Sequence, residues 1–356
     1  MMILRASLSL LFITTLADAQ ATPNTARGSI SLHRTVLALG DETSGGPQTF
    51  GNVYAIAFDR RNSVYVLDAS DNSIRVFDER GTFVARTGRS GRGPGDLARP
   101  LALLHDGDST LVVVDDINGL VTFRTTQRTI RHLRTAPLPF RARSACFLDR
   151  TLLLTGYADG HTIHTVTSDL ELDRSFGIPF PVVKAPGARE RVDTVAALLE
   201  WANRGALLVT CRSTEPRIVT VQTNGPGVRA YTASGQDRWL FEIDDYRGDA
   251  FAVAGPGRGT IVWGEDATYS AVQLSDSLIL LQIARRQIGR LDRELRQARG
   301  TARSRRSIVI HARTGRVVAE SPNLPIVLAS NIDRVATLEN EPFPRIVIRQ
   351  ISIRSR

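Results

Sequence analysis

Lysine is almost missing: Lys184 stands alone beside 44 arginines. A positive charge carried only by arginine can reflect composition bias, so it is poor grounds for nucleic-acid recognition. Cysteine is limited to Cys146 and Cys211, which excludes a disulfide-stapled mini-scaffold. Aromatics make up 6%, so the core must rest on Val, Ile, Leu and Ala. No apolar run reaches about 18 residues, so no membrane-spanning helix is written in the chain. The six histidines, at 33, 105, 132, 161, 164 and 311, are scattered and lack the spacing of a zinc site. What is present is ordinary globular material: 356 residues, 42% hydrophobic and 23% charged, with a formal net charge of +9. That excludes disorder, collagen and a multi-span membrane protein.

The first residues have the layout of a secretory leader. A positive start ending at Arg5 is followed by the apolar run Ala6–Leu16 and the small-x-small triplet Ala17-Asp18-Ala19. The expectation is a signal peptide over 1–19, cleaved after Ala19, and a secreted or periplasmic mature chain. No cysteine follows that would carry a lipid anchor.

Two segments repeat each other. Val64-Tyr65-Val66-Leu67-Asp68 and Ile74-Arg75-Val76-Phe77 return as Leu111-Val112-Val113-Val114-Asp115 and Leu120-Val121-Thr122-Phe123, at offsets of 47 and 46. Each copy holds four short β-branched runs cut by Gly, Asp, Asn or Ser, which predicts antiparallel strands. A period of about 40–50 residues with four strands per unit predicts a β-propeller blade. A lone four-stranded sheet with two apolar faces cannot bury both, whereas blades stacked around an axis can. Fainter copies run over 145–177, 195–232, 250–283 and 326–350. The expected fold is all-β: a single six-bladed propeller over 20–356. Ser31–Leu39 supplies the outer strand that closes the ring. Within 284–306, Ile288, Leu291, Leu295 and Ala298 follow helical spacing, which predicts an amphipathic insertion. That stretch carries nine arginines against Asp292 and Glu294, so it holds +7 of the mature chain's charge.

The run Val64–Asp78, followed by Gly81 and Gly88-Arg89-Ser90-Gly91-Arg92-Gly93-Pro94-Gly95-Asp96, resembles NHL-type six-bladed β-propellers of exported bacterial proteins. Pro342–Ile348 resembles their final blade. The resemblance implies a fold and a secreted setting, and most members of that group have no assigned activity. Propellers of this general shape also include metal-dependent lactonases and peptide-amidating lyases. This chain departs from both. Its inner-strand starts read Arg99-Pro100-Leu101-Ala102 and Ala142-Arg143-Ser144-Ala145, and no histidine stands at such a position.

Ligands of propellers usually sit where the channel opens, so the rim loops supply the candidates. They are Asp68, Asp71 and Asn72; Arg89 and Arg92; Asp115, Asp116 and Asn118; Tyr157; Arg212; and Glu265 with Tyr269. Asp68 and Asp115 occupy equivalent places, and that repetition favours a structural cap over a shared catalytic role. Asp115–Gly119 is rich in oxygen, but Leu120 and Gln127 stand where an EF-hand needs ligands. Gly88–Asp96 fails the phosphate-loop pattern and is expected to be a flexible crossover. His161 and His164, three apart on a strand, face opposite ways. Cys146 is placed on an innermost strand and Cys211 at the end of a second strand, so free buried thiols are expected.

These readings favour a non-enzymatic binding or scaffold module with no cofactor. A metal-dependent hydrolase or lyase in the channel mouth is the alternative. The expected partner is a protein, a polysaccharide or an anionic surface, met by Arg285, Arg286, Arg290, Arg293 and Arg296; export puts nucleic acid out of reach.

Overall fold

The computed structural model describes residues 28–42, 45–181, 204–248, 251–253, 260–262, 265–285, 306–331, 333–339 and 342–354. The leader expected over 1–19 lies outside them. The chain opens on β1 (Ser29–Leu39). Blade one follows as β2 (Val53–Phe58), β3 (Val64–Asp68), β4 (Ser73–Phe77) and β5 (Phe83–Thr87). Blade two is β6 (Pro100–His105), β7 (Thr110–Asp115), β8 (Gly119–Thr125) and β9 (Ile130–Ala136). Blade three is β10 (Ser144–Leu148), β11 (Thr151–Ala158), β12 (His161–Val166) and β13 (Leu172–Phe176). Blade four is β14 (Leu207–Cys211), β15 (Ile218–Gln222), β16 (Gly227–Tyr231) and β17 (Asp237–Glu242). A hairpin, β18 (Phe251–Val253) with β19 (Thr260–Val262), precedes blade five. Blade five is β20 (Asp266–Gln273), β21 (Leu278–Arg285), β22 (Arg306–His311) and β23 (Val317–Ser321). Blade six is β24 (Val327–Asn331), β25 (Arg334–Glu339) and β26 (Arg345–Arg354), completed by β1.

All pairings within blades are antiparallel meanders, so each blade is a four-stranded sheet with its first strand innermost. The inner strands touch in a closed ring, β2 to β6, β10, β14, β20, β24 and back to β2. Ring closure follows the expectation: β1 runs along β26, with Leu39 opposite Ile346 and Ser29 opposite Arg354.

The apolar strands feed two interfaces at once. Side chains alternate across a strand, so Val64 and Val66 pack against blade six while Tyr65 and Leu67 pack against blade two. The same division recurs around the ring. Each of the six buried clusters joins two neighbouring blades. Both faces of every inner sheet are thereby dry, which explains why Val64–Asp68 and Ser73–Phe77 are buried throughout.

Three expectations need correction. The fourth copy begins one strand later than the repeat spacing predicts, and the fifth two strands later. β14 (Leu207–Cys211) is an innermost strand and not a second one, while Phe251–Val253 and Thr260–Val262 pair as the hairpin before blade five. Faded repeat signal between residues 177 and 265 left two long crossovers that cannot be counted from spacing. The amphipathic helix expected over about 284–300, in the 284–306 insertion, is not seen among the described residues. Ala284 and Arg285 still belong to β21, Arg306 already belongs to β22, and 286–305 lies outside the described residues. Leu278–Ala284 keeps the apolar content of a second blade strand, and that burial holds it extended. Finally, Cys146 and Cys211 form a disulfide with Cα atoms 5.6 Å apart. The frame shift is the reason: β14 is innermost, as β10 is, and these two strands are neighbours around the axis.

Candidate functional site

In an antiparallel blade whose first strand is innermost, two kinds of connection share one face of the ring. They are the turns between second and third strands and the crossovers between blades. The first–second and third–fourth turns share the other face. This rule sorts the candidates. Asp68, Asp71, Asn72, Arg89, Arg92, Asp115, Asp116, Asn118 and Tyr157 stand on the crossover face, and so do Glu265 and the start of β20. Arg212 does not. It follows β14 in a first–second turn, on the opposite face, where its Nη1 donates to the Pro216 carbonyl at 2.8 Å and its Nη2 to Thr214 Oγ1 at 2.8 Å. The misframed fourth blade explains the displacement.

Asp68 and Asp115 do the same job in adjacent blades. Asp68 accepts the amides of Gly51, Asn52 and Ser70 at 2.9, 2.9 and 3.0 Å, and the Ser70 hydroxyl at 2.7 Å. Asp115 accepts the amides of Ala98 and Arg99 at 2.8 and 2.9 Å, and those of Ile117 and Asn118 at 2.9 Å. Each buried carboxylate thus ties the start of its inner strand to the turn after its second strand. Burial alone pushes the Asp68 carboxyl up; the Ser70 hydroxyl and the amides of Gly51, Ser70 and Asn52 outweigh it and hold it below the usual carboxylate range.

The remaining rim acids are also engaged. Asp71 Oδ2 meets Arg75 at 2.7 Å and Arg86 at 2.9 Å. Asp116, whose side chain is 1% exposed, lies between Arg99 and Arg141, and Arg141 reaches it through Nε at 3.0 Å and Nη2 at 2.9 Å. Glu339 receives Arg345 at 2.9 Å and Arg349 at 2.6 Å. Glu265 is 3.8 Å from Arg247. Tyr157 accepts from Arg204 Nη1 at 3.1 Å and lies beneath the same guanidinium, while Tyr269 is half-buried on β20. Residue spacing had no means of finding the arginines at 99 and 141, because Asp116 meets them from three different loops.

The Gly88–Pro100 crossover is built, not slack. Asp96 accepts Arg89 Nε at 2.8 Å and the Gly93 amide at 3.0 Å. From the next turn, Asn118 Nδ2 donates to the carbonyls of Gly91 at 3.1 Å and Asp96 at 2.9 Å. The Asn72 amide group likewise holds Ser90 Oγ at 3.0 Å. Gly119 closes its turn at φ +81°, where a Cβ would stand 2.2 Å from the Ala136 carbonyl oxygen. Only glycine fits there.

Four histidines each meet a hydroxyl. His33 faces Ser352, His105 faces Thr125, His132 faces Thr135 and His164 faces Ser175, at 2.6 to 2.9 Å. These pairs resemble fragments of nucleophilic sites. At His105 the arrangement is wrong for that chemistry. The Gly107 amide donates to Nδ1 at 2.9 Å, so Nε2 carries the hydrogen and donates to Thr125. The ring cannot then take the Thr125 proton. Its side chain is 0% exposed, and burial lowers its pKa against the pull of Asp106 and Asp59. Among the described residues, no three His, Cys, Asp or Glu side chains converge to share a metal ion.

A family model described as a 6-bladed beta-propeller, DUF5128, matches residues 47–165. Among solved structures, a Bacteroides vulgatus member of the DUF4221 family is similar at 11% identity and TM-score 0.60, over 93% of this chain and 99% of that one. A Bacteroides fragilis protein whose description suggests export is similar at 11% identity and TM-score 0.57, over 92% of this chain and 95% of the other. These likenesses establish the propeller fold. No curated protein matches the chain.

Proposed function

We propose that the protein is an exported binding module whose crossover face engages an anionic surface, such as lipid headgroups or an acidic polysaccharide. One observation carries this reading. Both ends of the arginine-rich segment, Arg285 closing β21 and Arg306 opening β22, lie at a second–third connection and so open onto the crossover face. On that face Asp68, Asp71, Asp96, Asp115, Asp116 and Glu339 are engaged by backbone amides or arginines, while Arg89 and Arg247 remain 81% and 70% exposed. A connection with this many arginines adds positive charge to that face. Arg285, Arg286, Arg290, Arg293 and Arg296 are its proposed contacts.

Export is supported by the leader-like start and by the Cys146–Cys211 disulfide, since such bonds persist in oxidising compartments. The NHL-type relation belongs to the same reading and rests on the Val64–Asp96 motifs. The test is deletion of Gln287–Arg303, with retention measured on anionic vesicles and on immobilised acidic polysaccharide. The expected result is loss of retention on one of them, with a steep salt dependence in the parent protein. Retention equal to the parent on both overturns the proposal.

A further inference from the structure

The face opposite the crossovers carries a feature of its own. A groove of about 1250 Å³ runs between the turns of blades one and two. Four arginines line it: Arg60, Arg61, Arg80 and Arg128. Among the described residues, none of their guanidinium groups is in an ion pair, although Arg75, Arg86, Arg89, Arg99 and Arg141 on the other face all are. Four unpaired donors therefore share one groove.

The acceptors beside them are held still. Asp59 Oδ1 takes the amides of Arg61 and Ser63, both at 2.8 Å, and Asp78 Oδ1 takes those of Arg80 and Thr82 at 2.9 and 2.8 Å. Glu79 and Asp108 add two further carboxylates to the lining. The floor is polar: Tyr65 OH donates to Asp59 Oδ2 at 3.4 Å, with the buried Thr125 beside it. Four guanidiniums against four carboxylates leave no net charge, so neither a polyanion nor a polycation is selected. Its lining is more polar than apolar, and its Tyr65 and Val76 are only 2% and 4% exposed. It is thus unlike the mostly apolar sites of drug-sized ligands, and its volume exceeds their range of about 300–1,000 Å³. Cores of protein interfaces are depleted in Asp and Glu, which disfavours a protein partner here.

We infer that this groove binds a neutral oligosaccharide several rings long. Vicinal hydroxyls suit such a lining. One diol can accept two hydrogen bonds from a planar guanidinium or donate two to a carboxylate. Turn amides that fix the acceptors beforehand reduce the cost of ordering them on binding. The site is independent of the anionic surface proposed above, because it lies on the other face.

The test uses the full chain against a panel of neutral glucan, mannan, xylan and galactan oligosaccharides, measured by titration calorimetry. At least one panel member is expected to bind. Arg80→Ala and Arg128→Ala are each expected to weaken it about tenfold, near the value of one hydrogen bond to a charged group. Both side chains are exposed, so the melting temperature should stay that of the parent and report intact folding. The Gln287–Arg303 deletion should leave this affinity unchanged. Three results overturn the inference: no binding across the panel, binding indifferent to both arginine variants, or displacement of the sugar by a mixed-charge peptide that binds more tightly in the same groove.

Discussion

At the scale of the residue, the rim shows how repetition separates structural from chemical roles. Asp68 and Asp115 look like catalytic carboxylates by position, yet each is saturated by backbone amides of its own blade. A duty that recurs with the blade is a duty to the blade. The buried histidines carry a measurable consequence. Burial holds His105 and His164 below their ordinary pKa, so each binds fewer protons folded than unfolded. Stability is then complete above the unfolded value of about 6.5 and falls as pH drops below it, by up to about 1.4 kcal/mol per pH unit for each ring. The urea midpoint is expected to drop between about pH 7.5 and about pH 5.5. His105→Gln should remove part of that slope. A midpoint that does not move over this range would show that both rings titrate as they do in the unfolded chain.

At the scale of the element, the strand decides what its residues can reach. Cys146 and Cys211 are separated by 65 residues, but β10 and β14 are both innermost and adjacent. The bond closes a long loop of the unfolded chain, for which the chain-entropy account gives about 4 kcal/mol. Denatured but unreduced protein is expected to show no titratable thiol. Cys211→Ser, with Cys146→Ser, should lower stability by about that amount, and the reduced parent should match the double variant. A full thiol titre in the parent sinks the pairing. Edge strands show the complementary point. β5, β9, β13 and β17 bear the exposed Phe83, Leu133, Leu172 and Leu240, one apolar side chain per outer strand. Such lone residues form no patch and need no partner.

At the scale of the whole molecule, the ring has no independent blade. Blade six borrows β1 from the other end of the chain. Leu37 and Leu39 enter the cluster shared with blade one, while Ile30 and Leu32 enter the one shared with blade five. Burial of aliphatic side chains contributes about 1.5–3 kcal/mol each. Removing residues 28–39 is therefore expected to cost on the order of 5 kcal/mol, read as a lower urea midpoint in tryptophan fluorescence. An unaltered midpoint would mean that the ring closes without this strand.

How much was legible follows from the same physics. Short continuous apolar runs cut by turn residues, repeated at offsets of 46 and 47, specify four-stranded blades, because a sheet with two dry faces must stack. The closing strand was legible too, since Ser31–Leu39 had no partner nearby in sequence. The charge of the 285–306 stretch is likewise a property of composition alone. Tertiary structure alone decided which strand of each faded copy is innermost, and with it the Cys146–Cys211 bond and the face on which Arg212 stands. It also decided that Arg99 and Arg141 close on Asp116 and that Arg60, Arg80 and Arg128 share a groove. A propeller gathers its surfaces from turns of different blades, and no spacing along one strand records which turns meet across the ring.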